Sequence, residues 1–152
     1  MYTIFQIAKW FLNREENMTN KKLQKLCWYA YSWYVALNYD PEEEGKLVFL
    51  TNEKAEAWVH GPVFKILYED VRYNKSSRIF SSNDIINEDD ISFLNQVYDV
   101  YGNNSGYELE NFTHQELPWI NARVGYKPFE ACHNVINDED ILKEYLPRLS
   151  GE

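Results

Sequence analysis

The chain has 152 residues, a length that suits one domain, which would bury roughly two-thirds of the surface that the unfolded chain exposes. Apolar residues make up 45% of the chain and aromatic residues 16%, which is enough core material to exclude intrinsic disorder. The formal net charge of −9 argues against a surface for duplex nucleic acid and favours either basic protein partners or simple solubility.

Cysteine usage and hydropathy indicate the compartment. Cys27 and Cys132 lie far apart and form no CxxC pair, so we expect both thiols to stay reduced. No apolar run approaches the length of a membrane span, and the N-terminal residues lack the pattern of a signal peptide. The sequence therefore predicts a cytoplasmic protein without membrane contact.

Two helices are predicted at the start of the chain. Apolar residues recur at helical spacing over residues 2–12, and the polar stretch 13–17 ends this pattern. Thr19 or Asn20 can cap a second helix that runs to Leu37 and carries an apolar face at 3.6-residue spacing.

The second helix is also apolar outside that face, because Trp28, Tyr29 and Val35 point away from it. Such a helix is either enclosed by its neighbours, which is the commoner case, or presents a binding face to a partner. Both interpretations stay open at this point, and Trp28 is kept as a partner-binding candidate.

The middle of the chain predicts short extended segments followed by a third helix. Residues 47–50 and 55–59 are typical of two short strands or extended arms. Pro62 suits the first turn of a helix, which we expect to run to about Tyr73. The polar, serine-rich segment 74–83 is then expected to be the longest loop.

Four helix starts are predicted in the second half of the chain from residues that favour the first turn. Asn87 precedes a helix that ends at Gly102, and Ser105 precedes a helix that runs to about Thr113. Pro118 opens a short helix, and Asn137 precedes a last helix that ends at Pro147. Together the elements predict a mainly α, compact single-domain bundle of about six or seven helices over residues 1–152. We expect a short two-stranded β element near residues 47–59.

The sequence offers little support for catalysis or for a bound cofactor. His60, His114 and His133 lie singly in separate segments, and no pair has the one-turn spacing of a helical metal motif. Cys27 falls on an apolar helix face, where a thiol acts as a small hydrophobe, and no glycine-rich phosphate loop occurs. We therefore predict no metal, no cofactor and no enzymatic activity.

Two short motifs have a structural and a functional interpretation. The segment 60–62 (HGP) is typical of a strand-to-helix junction in which the imidazole binds a backbone group. Residues 113–119 are typical of a tight connection between helices, with Trp119 packed inside and Glu116 bonded to backbone amides or to Arg123. In both cases the alternative is that these groups line a recognition surface.

Three segments in order carry a resemblance to a known family. They are KLQKLCWYAYSWYVAL (residues 22–37), EAWVHGPVF (residues 56–64) and VYDVYGNNSGYELENFTHQELPWINAR (residues 97–123). In this order and spacing they resemble the Panacea domain family, which includes SocA-like antitoxins and many phage-associated proteins.

The resemblance implies an antitoxin that binds a toxin protein encoded by an adjacent gene and neutralises it. SocA-like members can also deliver the toxin to a protease, and many members carry an extra DNA-binding domain. We expect no room for such a domain here, and hence no direct binding of nucleic acid. The alternative is a prophage-encoded adaptor or small enzyme with another partner or substrate.

Nine residues are candidates for partner binding, chosen because they are aromatic or because they lie in the motifs above. They are Trp28, Tyr31, Trp58, His60, Tyr68, His114, Glu116, Trp119 and Arg123. We expect aromatic anchors such as Trp28 or Tyr68 at the centre of the interface. The acidic loop residues Glu42, Glu43 and Glu44 would form a rim that speeds association.

Overall fold

The computed structural model describes residues 1–151, and this range forms eight α-helices and one antiparallel pair of strands. In chain order they are α1 (Ile4–Leu12), α2 (Asn20–Leu37), β1 (Glu56–Trp58), β2 (Gly61–Val63), α3 (Lys65–Tyr73), α4 (Ser77–Ser81), α5 (Glu88–Tyr101), α6 (Gly106–Thr113), α7 (Leu117–Ala122) and α8 (Asp138–Leu149). The predicted mainly helical fold with a short two-stranded sheet is confirmed. None of these helices combines the length and the apolar character needed to cross a bilayer.

Helix α2 lies at the centre of the molecule. It contacts α1, α3, α5, α6, α8 and strand β2, and Trp28, Tyr29 and Val35 are all buried. The ring of Tyr29 stacks on that of Tyr101 in α5, with centroids 4.0 Å apart. Since α2 is enclosed by its neighbours, the prediction that burial explains its apolar circumference is confirmed.

In five helices of the described range, the side chain of the N-cap residue itself caps the helix start. Thr19, Asn87, Ser105 and Asn137 each accept a hydrogen bond from a backbone N–H two or three residues later, as predicted. Thr3 does the same for α1 through a reciprocal capping box. Each cap satisfies an amide that the helix cannot pair internally, so these helices begin where the local sequence indicates.

The strands differ from the sequence prediction in position. Pro62 lies in β2 opposite Ala57, and α3 begins only at Lys65, so the prediction of a helix starting at Pro62 is wrong. Proline is tolerated there because β2 is an edge strand that pairs with β1 on one side, whereas β1 also bonds to residues 134–136 on its other side. Residues 47–50 form no strand, although their last carbonyl accepts a hydrogen bond from the N–H of Tyr2 (2.9 Å).

The predicted loop over residues 74–83 contains the short helix α4, so this prediction is also wrong. The buried carboxylate of Asp70, in α3, accepts hydrogen bonds from the backbone N–H groups of Arg78 (3.1 Å) and Ile79 (3.0 Å). Asp70 therefore caps α4 from another helix, and the side chain of Ile79 is fully buried beside it.

Two prolines in the C-terminal half have different effects on their helices. Pro118 lies in the first turn of α7, where it was predicted. Helix α8 continues through Pro147 to Leu149, so the predicted end at Pro147 is wrong. Proline in a last turn removes only one backbone hydrogen bond. Arg148 also bonds to Glu144 one turn earlier (2.8 Å), which supports the helix beyond the proline.

Candidate functional site

A tight turn joins β1 to β2 and is held close to α2. Gly61 has a φ of +111°, which favours glycine, and an added Cβ would lie 2.5 Å from Lys25 Cε and 2.9 Å from Thr113 Oγ1. The expected crowding at this glycine is confirmed. The segment 60–62 leads from strand to strand, however, and not directly into a helix as predicted.

The turn presents His60 to solvent while one of its ring nitrogens is held. His60 Nδ1 lies 3.1 Å from Glu110 Oε2, whose other oxygen is 2.7 Å from Lys21 Nζ. The expected partner was a backbone group, and the structure places a carboxylate there instead. Burial alone would raise the pKa of Glu110, but the hydrogen bonds and charges of Lys21 and His60 outweigh burial and lower it.

Lys25 lies beneath this turn and supports it from α2. Its Nζ donates a hydrogen bond to the carbonyl oxygen of Pro62 (3.2 Å), and the residue is 1% exposed. Burial lowers the pKa of Lys25 to about 7, with the charge of Glu110 opposing and that of Lys21 assisting the shift.

The titration of Lys25 predicts that stability rises with pH just above neutrality. Unfolded Lys25 keeps its proton up to about pH 10.5, whereas folded Lys25 loses it near pH 7. The unfolded chain therefore binds more protons, and the free energy of unfolding should increase by about 1 kcal/mol between pH 7 and pH 8. Urea denaturation at the two pH values measures this change.

The matched control for this prediction is Lys25→Met, which keeps most of the side-chain volume and removes the titrating amine. Its free energy of unfolding should change with pH by about 1 kcal/mol less than that of the wild type over the same interval. His114, the other neighbour with a shifted pKa in this range, has its pKa lowered from 6.5 and titrates below the interval. Equal pH dependence of the two proteins would contradict the assignment.

Three aromatic rings meet beside the turn, although they lie far apart in the sequence. Trp58 in β1 makes edge contacts with Tyr68 in α3 (centroids 5.0 Å apart) and with His133 (5.6 Å). Both Trp58 Nε1 (2.8 Å) and His133 Nδ1 (3.2 Å) contact Glu56 Oε1. A shallow pocket of about 160 Å³ lies between residues 58–60 and 131–133.

Trp119 connects this group of rings to the segment between α6 and α7. Its Nε1 donates a hydrogen bond to the carbonyl oxygen of Trp58 (2.7 Å), and its ring stacks on His114 with centroids 4.0 Å apart. Both side chains are half-buried. Burial lowers the pKa of His114, so the stacked imidazole is more readily neutral.

Arg123 is buried behind the hairpin and stabilises it, and its side chain does not face a partner. The residue is 5% exposed, and its guanidinium donates hydrogen bonds to the carbonyl oxygens of Ala57 (2.9 Å), Lys127 (3.0 Å) and Glu130 (2.6 Å). It therefore ties β1 to the loop after α7. The expected pairing of Arg123 with Glu116 does not occur.

Glu116 is instead the centre of a separate buried network. Its Oε1 accepts hydrogen bonds from the hydroxyls of Tyr29 (2.8 Å) and Tyr145 (2.9 Å), and its Oε2 from Arg148 (3.1 Å). Burial raises the pKa of Glu116 although these three partners oppose it. Glu116 is only 6% exposed and connects α2, α7 and α8. The prediction that it binds a partner is therefore corrected, because it is not a surface residue.

Trp28 and Tyr31 also need correction as partner-binding candidates. Both lie on α2, are 1% exposed and stack on each other with ring centroids 6.1 Å apart. The hydroxyl of Tyr31 donates a hydrogen bond to Asp138 (2.7 Å) at the start of α8. Neither side chain can reach a partner in this conformation, because neighbouring elements bury this part of α2.

We define the hairpin surface as the set of exposed or half-buried side chains around the β1–β2 turn. It consists of Trp58, His60, Tyr68, His114, Trp119 and His133. Five of these six were candidates from the sequence, and His133 was missed. As a single histidine in an irregular segment, His133 offered no signal except its residue type.

The hairpin surface consists of aromatic rings and imidazoles. Within residues 1–151, no three His, Cys, Asp or Glu side chains converge in a way that could hold a metal ion. Cys27 and Cys132 are buried and unpaired in this range, and burial raises the pKa of the Cys27 thiol, which disfavours the thiolate. The arrangement is suited to contacts through rings and imidazoles.

Comparison with known proteins identifies the family. A family model described as antitoxin SocA-like, Panacea domain, matches residues 23–120, which include most of α2, the hairpin and helices α3–α6. Separate comparisons with curated proteins and with solved structures found no match. The matched residues make up almost two-thirds of the chain and contain five of the six residues of the hairpin surface. The chain therefore belongs to the SocA-like antitoxin family that is defined by the Panacea domain.

Proposed function

We propose that this chain is an antitoxin that neutralises a cognate toxin protein by binding it directly, without an enzymatic step. Its membership in the SocA-like antitoxin family carries the proposal. The toxin is the product of an adjacent gene, and residues 1–152 act as one domain in the cytoplasm.

The hairpin surface is the contact face in this proposal. Contacts with neighbouring side chains order its rings. The ring of Trp58 packs on Tyr68 and His133, and Trp119 donates a hydrogen bond to the backbone carbonyl of Trp58. Aromatic side chains that are already ordered lose little conformational freedom on binding, and they are common among the residues that dominate interface energies. The matched segment contains the hairpin surface except for His133, which supports placing the contact there.

Charge supports a basic partner. The formal net charge is −9, and a chain of this sign attracts positively charged surfaces over several ångströms at low ionic strength. Charge then accelerates association, whereas the aromatic contacts slow dissociation.

Tyr68 tests the contact face. We expect Tyr68→Ala to raise the dissociation rate constant of the toxin complex roughly 30-fold, because an anchoring ring commonly contributes about 2 kcal/mol to binding. Surface plasmon resonance with the purified product of the adjacent gene measures this rate.

The matched control is Tyr73→Ala on the same helix. Tyr73 is 71% exposed and five residues further along α3, where helical geometry turns it to a different side. This variant should bind the toxin like the wild type. If Tyr68→Ala is folded and binds as tightly as Tyr73→Ala, the toxin does not contact the hairpin surface.

Co-expression in a growing culture tests the function itself. The adjacent gene product should arrest growth when expressed alone, and this chain should restore growth when the two are co-expressed. The toxin level separates two modes: stable toxin indicates occlusion by binding, whereas rapid loss of toxin indicates delivery to a protease. If the adjacent product is not toxic, or if growth is not restored, the antitoxin proposal is wrong.

A further inference from the structure

A second surface, distant from the hairpin surface, is apolar and lies between α5 and α8. We define the helix groove as the depression of about 240 Å³ that is lined by Trp33 and Leu37 of α2, Phe93, Val97 and Val100 of α5, and Leu149 of α8. Leu37 is 50% exposed, Val100 65% and Leu149 45%. Three large apolar side chains thus face solvent together around one depression, whereas single exposed apolar residues are ordinary on a protein surface.

The spacing of the groove residues on α5 explains why they share one side. Phe93, Val97 and Val100 follow each other at intervals of four and three residues, which places them on one helix face. The other two α5 residues at the groove are Gln96 and Tyr101, and no charged side chain lines the groove in the described range. The groove is therefore open, elongated along α5 and uncharged inside.

Acidic residues are concentrated at one end of the helix groove. Helices α2 and α5 are antiparallel, because Lys22 Nζ contacts the carbonyl oxygen of Gly102 (2.7 Å) while Tyr34 packs on Phe93 (5.3 Å). The end of α2 and the start of α5 therefore lie together. The exposed acidic residues that follow α2 in the chain are Asp40, Glu42, Glu43 and Glu44, of which Glu43 pairs with Lys46 (3.1 Å), and those in the first turn of α5 are Glu88 and Asp89.

We propose that the helix groove binds one amphipathic helix whose polar side carries Lys or Arg, and that this helix belongs to the toxin. The identification of the toxin as the source of the helix rests on the proposed function. An apolar groove between two helices accepts the apolar face of a third. The acidic end selects a basic segment, because unlike charges attract and an acidic helix would be repelled. Leu37 is about 18 Å further along α2 than Lys25 under the hairpin turn, so the groove is a second point of contact.

A synthetic peptide tests the chemistry of the helix groove without knowledge of the toxin. The probe is an amphipathic peptide of about 14 residues that repeats Leu-Lys-Lys-Leu-Leu-Lys-Leu, and the comparison peptide has the same composition in a scrambled, non-amphipathic order. Isothermal titration calorimetry with the full chain should show one saturable site for the first peptide and markedly weaker binding of the second.

Two variants distinguish binding of the peptide in the groove from nonspecific electrostatic attraction of a basic peptide to an acidic protein. Val100→Glu places a charge in the groove and should raise the Kd of the amphipathic peptide at least tenfold. Val124→Glu is the matched control, since Val124 is similarly exposed (75%) but does not line the groove, and it should leave the Kd unchanged. Equal effects of both variants, or no saturable binding, would overturn the proposal.

The acidic end has its own test. The triple variant Glu42→Lys, Glu43→Lys, Glu44→Lys should weaken binding of the amphipathic peptide several-fold at low salt. The difference should vanish near about 0.5 M salt, where the Debye length falls to about 4 Å and exposed charges are screened. No loss of affinity at low salt would exclude this loop as the source of charge selectivity and overturn that part of the proposal.

The source of the helix is tested by co-expression with the adjacent gene product. If the wild type restores growth and Val100→Glu does not, although the variant is folded, the toxin occupies the groove. If both restore growth with equal toxin binding, the toxin does not supply the helix, while the antitoxin function stands. If the wild type itself fails to restore growth, the proposed function is wrong and the toxin is excluded as the source of the helix. The peptide experiment then still decides whether the groove binds a basic amphipathic helix.

Discussion

Replacing Glu116 with alanine should lower the free energy of unfolding by about 3–5 kcal/mol, which is typical when one partner of a buried charged network is removed. The change leaves the hydroxyls of Tyr29 and Tyr145 without their acceptor, and both residues are fully buried. Arg148 keeps only Glu144 as a partner. Because the network connects three helices, we expect the whole unfolding transition to shift, which urea denaturation monitored by circular dichroism measures.

Glu116→Gln is the matched control for this prediction. Glutamine keeps an acceptor oxygen of similar reach for the two tyrosine hydroxyls, so the loss should be clearly smaller than with alanine. Toxin affinity of the folded fraction should change little in both variants, because Glu116 is not part of the hairpin surface. If Glu116→Ala retains wild-type stability but loses its partner, Glu116 acts in binding and the structural interpretation is wrong.

Trp28→Ala should be similarly damaging, with an expected loss of about 3–5 kcal/mol for truncating a large aromatic side chain in a core. Trp28 is 1% exposed and stacks on Tyr31, so alanine would leave a cavity that the enclosing helices cannot readily fill. Thermal and urea unfolding measure the loss.

Two comparison variants make this prediction specific. Trp28→Phe keeps an aromatic ring and should cost less than half as much, whereas Trp10→Ala removes a half-exposed ring from α1 and should cost less than Trp28→Ala. A Trp28→Ala protein with wild-type stability and weakened toxin binding would restore Trp28 as a contact residue. The structure leads us to expect the opposite, since the ring lies inside the molecule.

Local rules were sufficient for the helix starts and for the class of the fold. The caps Thr19, Asn87, Ser105 and Asn137 act within two or three residues of themselves, so their effect can be derived from adjacent sequence alone. The apolar circumference of α2 likewise predicted a central helix, because the period of the pattern shows which sides must be covered.

Two of the errors, at α4 and at Pro62, arose where a distant residue supplied the partner. Asp70 caps α4 from another helix, so nothing within residues 74–83 revealed that helix. Pro62 is compatible both with a helix start and with an edge strand, and pairing with Ala57 in β1 selects the strand. In each case the deciding hydrogen bonds form only after other elements have come together.

In the candidate site, too, the sequence indicated the residue types, and the tertiary structure decided their contacts. The residue types at Trp58, His60, Tyr68 and Trp119 were recognisable from the chain, because rings and imidazoles in unusual motifs are candidates wherever they occur. Their contact with each other and with His133 is set by the hairpin turn, which fits against α2 only because position 61 lacks a Cβ. Whether a ring lies on the surface or in the core, as Trp28 does, depends on which helices cover it. Local propensities therefore defined the helices that carry their own caps, whereas exposure and contact depended on non-local burial, which no single segment of the sequence specifies.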